Sequence, residues 1–319
     1  MLTIFFFYII IQDRKINKES RNLDKTTNKK KVDKSPINIV KKEKMYLPYN
    51  EKCYLSLENS NLKIIHIIFT RFLMSYYKIN GFPKKLKSKY YLQNGIRVMK
   101  KYLFPSLENQ SCKNFIWILL LGDKANITYI KFLLDLNNSF ESKVIYQKDI
   151  KNYMRNITKG FDVLITTSMD YDDRIYYDAV NDVRKAININ KPMLLYGYKR
   201  GLYYFESDGK YYEFYDDYQN MGAINIFLSL ITVLNKVNDT YIIYNLGGHT
   251  TIRKTLLEKY KSYGIKELNY EPAIFDSGDP KFVYVRQNYS VTITLNQIKL
   301  MQKMPIMNYF NLSHFYGIY

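Results

Sequence analysis

Residues 161–173 read F-D-V-L-I-T-T-S-M-D-Y-D-D, and the fold turns on how this stretch is interpreted. The run Val163, Leu164, Ile165, Thr166, Thr167 suits a strand covered on both faces, because branched side chains fit a pleated, buried surface. It stops at three carboxylates, Asp170, Asp172 and Asp173. Beyond them Ile175, Ala179, Val183 and Ile187, with Tyr176 and Val180 beside them, recur at helical spacing. The expected unit is a strand, an acidic turn and a helix, capped by Asp172 or Asp173. Three carboxylates at a strand end repel one another unless a cation or hydrogen-bond donors neutralise them. That end of a parallel strand is also where open α/β sheets take their ligands. A divalent metal carrying a diphosphate would satisfy the charge, although a D-x-D tripeptide by itself also suits a solvated turn or a helix cap.

The chain upstream supplies context. Residues 63–69 (K-I-I-H-I-I-F) predict a buried first strand closing on Thr70, Arg71 and Phe72, with His66 read as a core histidine. Residues 91–103 carry apolar positions at helical spacing, and Pro105 is expected to break that helix and restart the chain. A second strand is predicted over 115–121, ending at Gly122 and Asp123. A helix follows over 127–136, then a strand over 143–147 and a short helix over 150–158. Strands separated by helices imply βαβ units and a mostly parallel sheet.

Past residue 188 the pattern becomes Tyr-rich. Residues 192–197, 202–206 and 211–215 predict short strands, joined by turns at 199–201 and 207–209 that both read as hairpins. Their aromatics suit either stacking on sugar rings or a sheet core. Residues 224–234 are expected to be helical, 240–244 a strand, 247–260 a glycine-opened helix and 281–286 a last strand. A C-terminal helix and tail are expected over 291–319. No internal repeat is evident.

Composition narrows the function classes. The chain has 319 residues, 47% of them hydrophobic and 16% aromatic, which favours a globular protein over a disordered one. Its formal net charge is +19, but it is rich in Lys, Asn, Ile and its 33 Tyr, and the basic residues are spread along it. Nucleic-acid binders concentrate Arg and Lys on one element, so no nucleic-acid partner is expected. Residues 1–11 are apolar but shorter than the roughly 20 residues of a spanning helix, so they fit at most a peripheral contact with a membrane. The Lys-rich residues 13–44 read as a solvated linker, which leaves 1–45 outside the folded part. Cys53 and Cys112 form no disulfide framework or zinc pattern, and a reducing, cytoplasmic compartment is the expectation.

With these elements in order, the chain resembles the rhamnosyltransferase family, a branch of the glycosyltransferases with the GT-A fold. The resemblance spans roughly residues 62–290. It is carried by T-R-F at 70–72, Arg97 followed by L-F-P-S-L-E-N-Q at 103–110, F-I-W-I-L-L-L-G-D at 115–123, and L-I-T-T-S-M-D-Y-D-D at 164–173. D-P-K-F-V-Y-V-R-Q-N-Y-S at 279–290 resembles the family's closing strand. Two positions depart from the pattern: Ser168 stands where the family has an arginine, and Gln287 where it has a histidine.

The resemblance implies a nucleotide-diphospho-sugar transferase fold, with a mostly parallel central sheet and helices on both faces. It implies transfer of a sugar from a nucleotide-sugar donor to a glycan or other hydroxylated acceptor. Asp170 and Asp172 are then the expected ligands of Mn²⁺ or Mg²⁺, with Thr70, Arg71, Asp123 and Asp170 around the nucleotide. Asp173 is the expected catalytic base, with Asp276 and Asp279 as alternatives, and His249 stands as a substitute metal ligand for the missing histidine. A nucleotidyltransferase-like enzyme also uses paired aspartates and metal, but no G-G-x-G-x-R-like loop follows the first strand. A non-catalytic sugar-binding or scaffold protein is the other alternative, given Ser168 and Gln287.

Overall fold

The computed structural model describes residue 53 and residues 61–72, 89–122, 139–207, 209–215, 227–237, 242–246, 255, 258, 261, 273–275 and 280–286. The chain divides into two units, Met1–Tyr46 and Leu47–Tyr319, and everything described belongs to the second.

The first strand, β1 (Ile64–Phe72), lies in the interior of a seven-stranded sheet. β2 (Ile116–Leu121) and β3 (Glu141–Tyr146) add to it in parallel on one side. The chain then returns, and β4 (Val163–Ser168) pairs in parallel with the other side of β1. All six residues of β4 are buried, as its β-branched run requires.

Beyond the acidic turn come β5 (Arg174–Ile175), β6 (Met193–Tyr198), β7 (Arg200–Phe205), β8 (Lys210–Tyr215) and β9 (Leu228–Val233). β10 (Ala273–Phe275) and β11 (Phe282–Arg286) complete the set. The large sheet runs β10-β6-β9-β4-β1-β2-β3, and β9 pairs antiparallel with both its neighbours while the other pairs are parallel. A second sheet has the order β5-β11-β7-β8.

The helical elements are α1 (Lys89–Val98), α2 (Phe104–Glu108), α3 (Ile150–Ile157) and α4 (Ala179–Lys185). Met99, Leu103, Phe104 and Leu107, Met154 of α3, and Ala179, Val180 and Val183 of α4 all enter the core that the large sheet builds. No described helix is long and apolar enough to cross a membrane.

Several sequence expectations are corrected. Pro105 does not break the helix: α1 runs on through a π-type turn, Met99–Leu103, into α2. The Phe104 amide reaches back five residues to Met99 O, and this wider winding takes up a proline that an ordinary turn would reject. Residues 224–234 were expected to be helical, yet 228–233 form β9. A short, fully buried apolar run has no polar face, so periodicity cannot separate the two states. Residues 243–246 form a 3₁₀ turn where a strand was expected over 240–244.

The turn at 199–201 is no hairpin, because β6 and β7 belong to different sheets. The one at 207–209 is: β7 and β8 pair antiparallel from Phe205 and Lys210, with Gly209 at φ 67°. Helix α4 begins at Ala179 with Asp178 at its cap position, leaving Asp172 and Asp173 in the turn.

The cysteines are also reassigned. Cys53 and Cys112 form a disulfide across 59 residues of sequence, and both are buried. Their pairing depends on spatial neighbourhood, which sequence spacing does not carry. The predicted helices over 127–136 and 247–260, apart from helical positions at 255 and 258, lie outside the described residues, as does the C-terminal tail.

Candidate functional site

The order of the large sheet creates a crevice. β1 is followed by β2 and β3 on one side and by β4 on the other, so the direction of winding reverses between β1 and β4. A reversal of this kind leaves a gap at the carboxyl ends of the two strands, which is where doubly wound sheets bind ligands. Register places Phe69 opposite Ser168, so Thr70, Arg71 and Phe72, still paired with β2, carry β1 on beside the start of the acidic turn. The two chains stay together past the ladder: Met169 N–H donates to Phe69 O at 2.9 Å. The Tyr171 ring packs edge-on against Phe72 at 5.4 Å.

The turn is braced from three directions. Asp173 is 1% exposed, and its Oδ1 accepts from the Val285 amide of β11 at 3.2 Å. β5 then pairs antiparallel with β11 through Arg174 and Ile175. From the third side, the P-S-L-x-x-Q step supplies Ser106 and Gln110. Ser106 Oγ accepts from the Ile175 amide at 3.2 Å. Gln110 uses both ends of its amide: Nε2 donates to Tyr176 O at 2.8 Å and to Ser106 O at 3.0 Å, while Oε1 accepts from the Val180 amide at 3.1 Å. Ser111 N–H adds a bond to Tyr177 O at 2.8 Å. A buried amide with its bonds satisfied fixes backbone well, because leaving any of them unmade costs about 1–3 kcal/mol. The step thus secures the segment after the acidic turn.

The expected site residues divide accordingly. Arg71, Asp170 and Asp172 come to the same end of the β1–β4 pair, and all three are partly exposed. Thr70 is fully buried, and its Oγ1 accepts from Trp117 Nε1 at 3.0 Å, so its hydroxyl serves the sheet. Asp173 faces the second sheet. Asp123, His249, Asp276, Asp279 and Gln287 lie outside the described residues. Among the described residues no three His, Cys, Asp or Glu side chains gather as a metal cage would require. Withdrawal of Asp173 to Val285 leaves Asp170 and Asp172 as the pair one residue apart, which suits an ion that takes its other oxygens from phosphate and water.

Tyr244 was missed. It stands on the 3₁₀ turn Ile243–Leu246, which is held to β4 by the Ile243 amide donating to Thr166 Oγ1 at 2.9 Å. The Tyr244 ring lies under the Arg71 guanidinium, 4.4 Å from Cζ to centroid. Its hydroxyl donates to Phe69 O at 3.3 Å and accepts from Ser168 Oγ at 3.2 Å. Nothing local in the sequence marks it among 33 tyrosines.

Two other readings are resolved. His66 is 1% exposed, shares a hydrogen bond with Thr167 Oγ1 at 2.8 Å, and is held down to a pKa of about 3 by burial and then by the Arg184 charge. It is a neutral core histidine. In the Tyr-rich strands, Tyr196, Tyr198, Tyr203 and Tyr212 are buried in the core, with Tyr203 stacked on Tyr284 at 5.4 Å. Tyr204 and Tyr211, 4.7 Å apart, remain partly exposed.

No protein-family model matches the sequence, and no curated protein matches it. Solved structures give weak likenesses. The inositol-1-phosphate CTP transferase from T. maritima aligns with TM-score 0.35 and 12% identity, over 76% of this chain and 97% of its own. HddC from Yersinia pseudotuberculosis aligns with TM-score 0.30 and 11% identity, over 70% and 90%. The 4-diphosphocytidyl-2C-methyl-D-erythritolsynthase from Anaerococcus prevotii DSM 20548 gives TM-score 0.30 and 10% identity, over 75% and 95%. Likenesses this weak carry no argument about activity, which rests on the site itself.

Proposed function

We propose that the chain is a glycosyltransferase that moves a sugar, a hexosyl or rhamnosyl group, from a nucleotide-sugar donor to a hydroxyl of a glycan or another acceptor. The supporting observation is that β1, which carries Arg71, and the turn after β4, which carries Asp170 and Asp172, lie at the same end of adjacent strands at the switch point. Arginine matches phosphate oxygens with a planar fork of donors. Asp170 and Asp172 are the residues that would hold Mn²⁺ or Mg²⁺ beside the same diphosphate. Bound there, the ion would neutralise charge developing on the leaving phosphate.

The bracing of the turn by Asp173, Ser106 and Gln110 supports this reading, because ligand groups held by rigid backbone need little reorganisation. Asp173 contributes as the anchor of the turn to β11. If configuration inverts, Asp276 or Asp279 would take the acceptor's proton.

Calorimetry with a panel of nucleoside diphosphates, first with Mn²⁺ and then with chelator, tests the reading. Metal and nucleotide should each tighten the other by the same factor. Asp172→Asn should remove that coupling and abolish transfer while leaving the melting temperature near that of the unaltered protein. Equal affinity with and without metal would remove the aspartates from the site and leave a scaffold or a metal-free binder.

A further inference from the structure

Ser168 stands at the end of β4, beside the crevice. The position is not empty of function: Ser168 Oγ donates to the Tyr244 hydroxyl at 3.2 Å, and that hydroxyl donates to Phe69 O at 3.3 Å. Phe69 O is also the acceptor for Met169 N–H, so one carbonyl joins Tyr244 to the exit of both strands. The ring meets Phe69 edge-on at 5.9 Å and offers its face to Arg71.

An aromatic face under a guanidinium attracts it and restricts its tilt, while the N–H donors stay in the guanidinium plane, directed away from the ring. A hydroxyl tied at both ends in turn fixes the ring. The geometry points to Tyr244 as a positioning residue: held by Ser168 and Phe69, it sets the plane of Arg71 so that the arginine meets the diphosphate edge-on. The serine thus anchors the tyrosine that orients the arginine of β1. This rests on the diphosphate reading of the crevice given above.

The test uses the full chain, with inorganic pyrophosphate and Mn²⁺ as the probe, titrated by calorimetry. Three variants are compared, with melting temperatures measured alongside: Tyr244→Phe, Tyr244→Leu and Arg71→Ala. Tyr244→Phe keeps the face but loses both ties of the hydroxyl, so binding should weaken measurably, though less than in Tyr244→Leu. Tyr244→Leu removes the face and should weaken binding about tenfold, the size of a well-placed cation–π contact.

The deciding measurement is the double variant Tyr244→Leu with Arg71→Ala. If Tyr244 acts through Arg71, the leucine should cost nothing further once the arginine is gone. A general loss of structure would instead add to the arginine loss, and that result would overturn the proposal. So would Tyr244→Leu binding as tightly as the unaltered protein. Failure of the unaltered protein to bind pyrophosphate at all would sink the diphosphate reading itself, and the positioning role with it.

Discussion

His66 shows what burial does to a titratable residue in this fold. His66 lies inside β1 with its Nε2 on Thr167, and burial brings its pKa from an ordinary 6.5 to about 3. Below about 6.5 the unfolded chain takes up this proton, and the folded chain does so only below about 3. Between those values the unfolded state binds the extra proton, so stability should fall as pH falls through that window and be fully present above it. Melting temperatures measured from pH 7 to pH 4 should show a steeper decline for the unaltered protein than for His66→Gln. Parallel curves would mean that the acid sensitivity comes from other groups. The core role of His66 was legible from the apolar run around it. That of Asp173 was not: three aspartates in four residues look alike in sequence, and what separates them is the Val285 amide, 112 residues away.

At the scale of elements, local pattern located β1, β2, β3 and β4 to within a few residues, since each is a short run bounded by polar turns. It failed where the partner strand decides the state. β9 is a strand because β4 and β6 offer it edges on both sides, and its own residues do not announce this. Partnering between sheets is equally invisible. Gly201 of β7 lies so close to the Phe282 ring of β11 that a Cβ there would overlap it, and Phe282 is fully buried with nowhere to retreat. Gly201→Ala should therefore destabilise the fold by about 1–3 kcal/mol, the usual cost of overpacking. Denaturant unfolding of the two proteins measures it. A change within error would show that the second sheet yields at that point. The acidic turn should feel the same strain, because β11 is also what Asp173 holds.

Over the whole molecule, the mixed α/β architecture followed from the alternation of elements, while the strand order and the second sheet needed the long-range pairing itself. The disulfide belongs to this scale too. It closes a loop with a sequence separation of 59, within which lies all of β1, and Cys112 sits just beyond the Gln110 clamp. By the chain-entropy argument a loop of this length is worth about 4 kcal/mol. Reduction of the full chain, or Cys53→Ser with Cys112→Ser, should lower the melting temperature by several degrees. No change on reduction would show that the bridge adds nothing to the second unit's stability.

The single antiparallel strand has a further consequence during synthesis. β4 and β6 leave the ribosome before β9, and each has an edge that β9 alone occupies in the finished sheet. Until residues 228–233 have emerged, one edge of β4 and both edges of β6 stand unpaired, since β10 follows later still, and apolar strand edges are the surfaces on which chains adhere to one another. Covering those edges during synthesis, by a chaperone or by rapid translation from β6 to β9, should therefore raise the yield of folded chain.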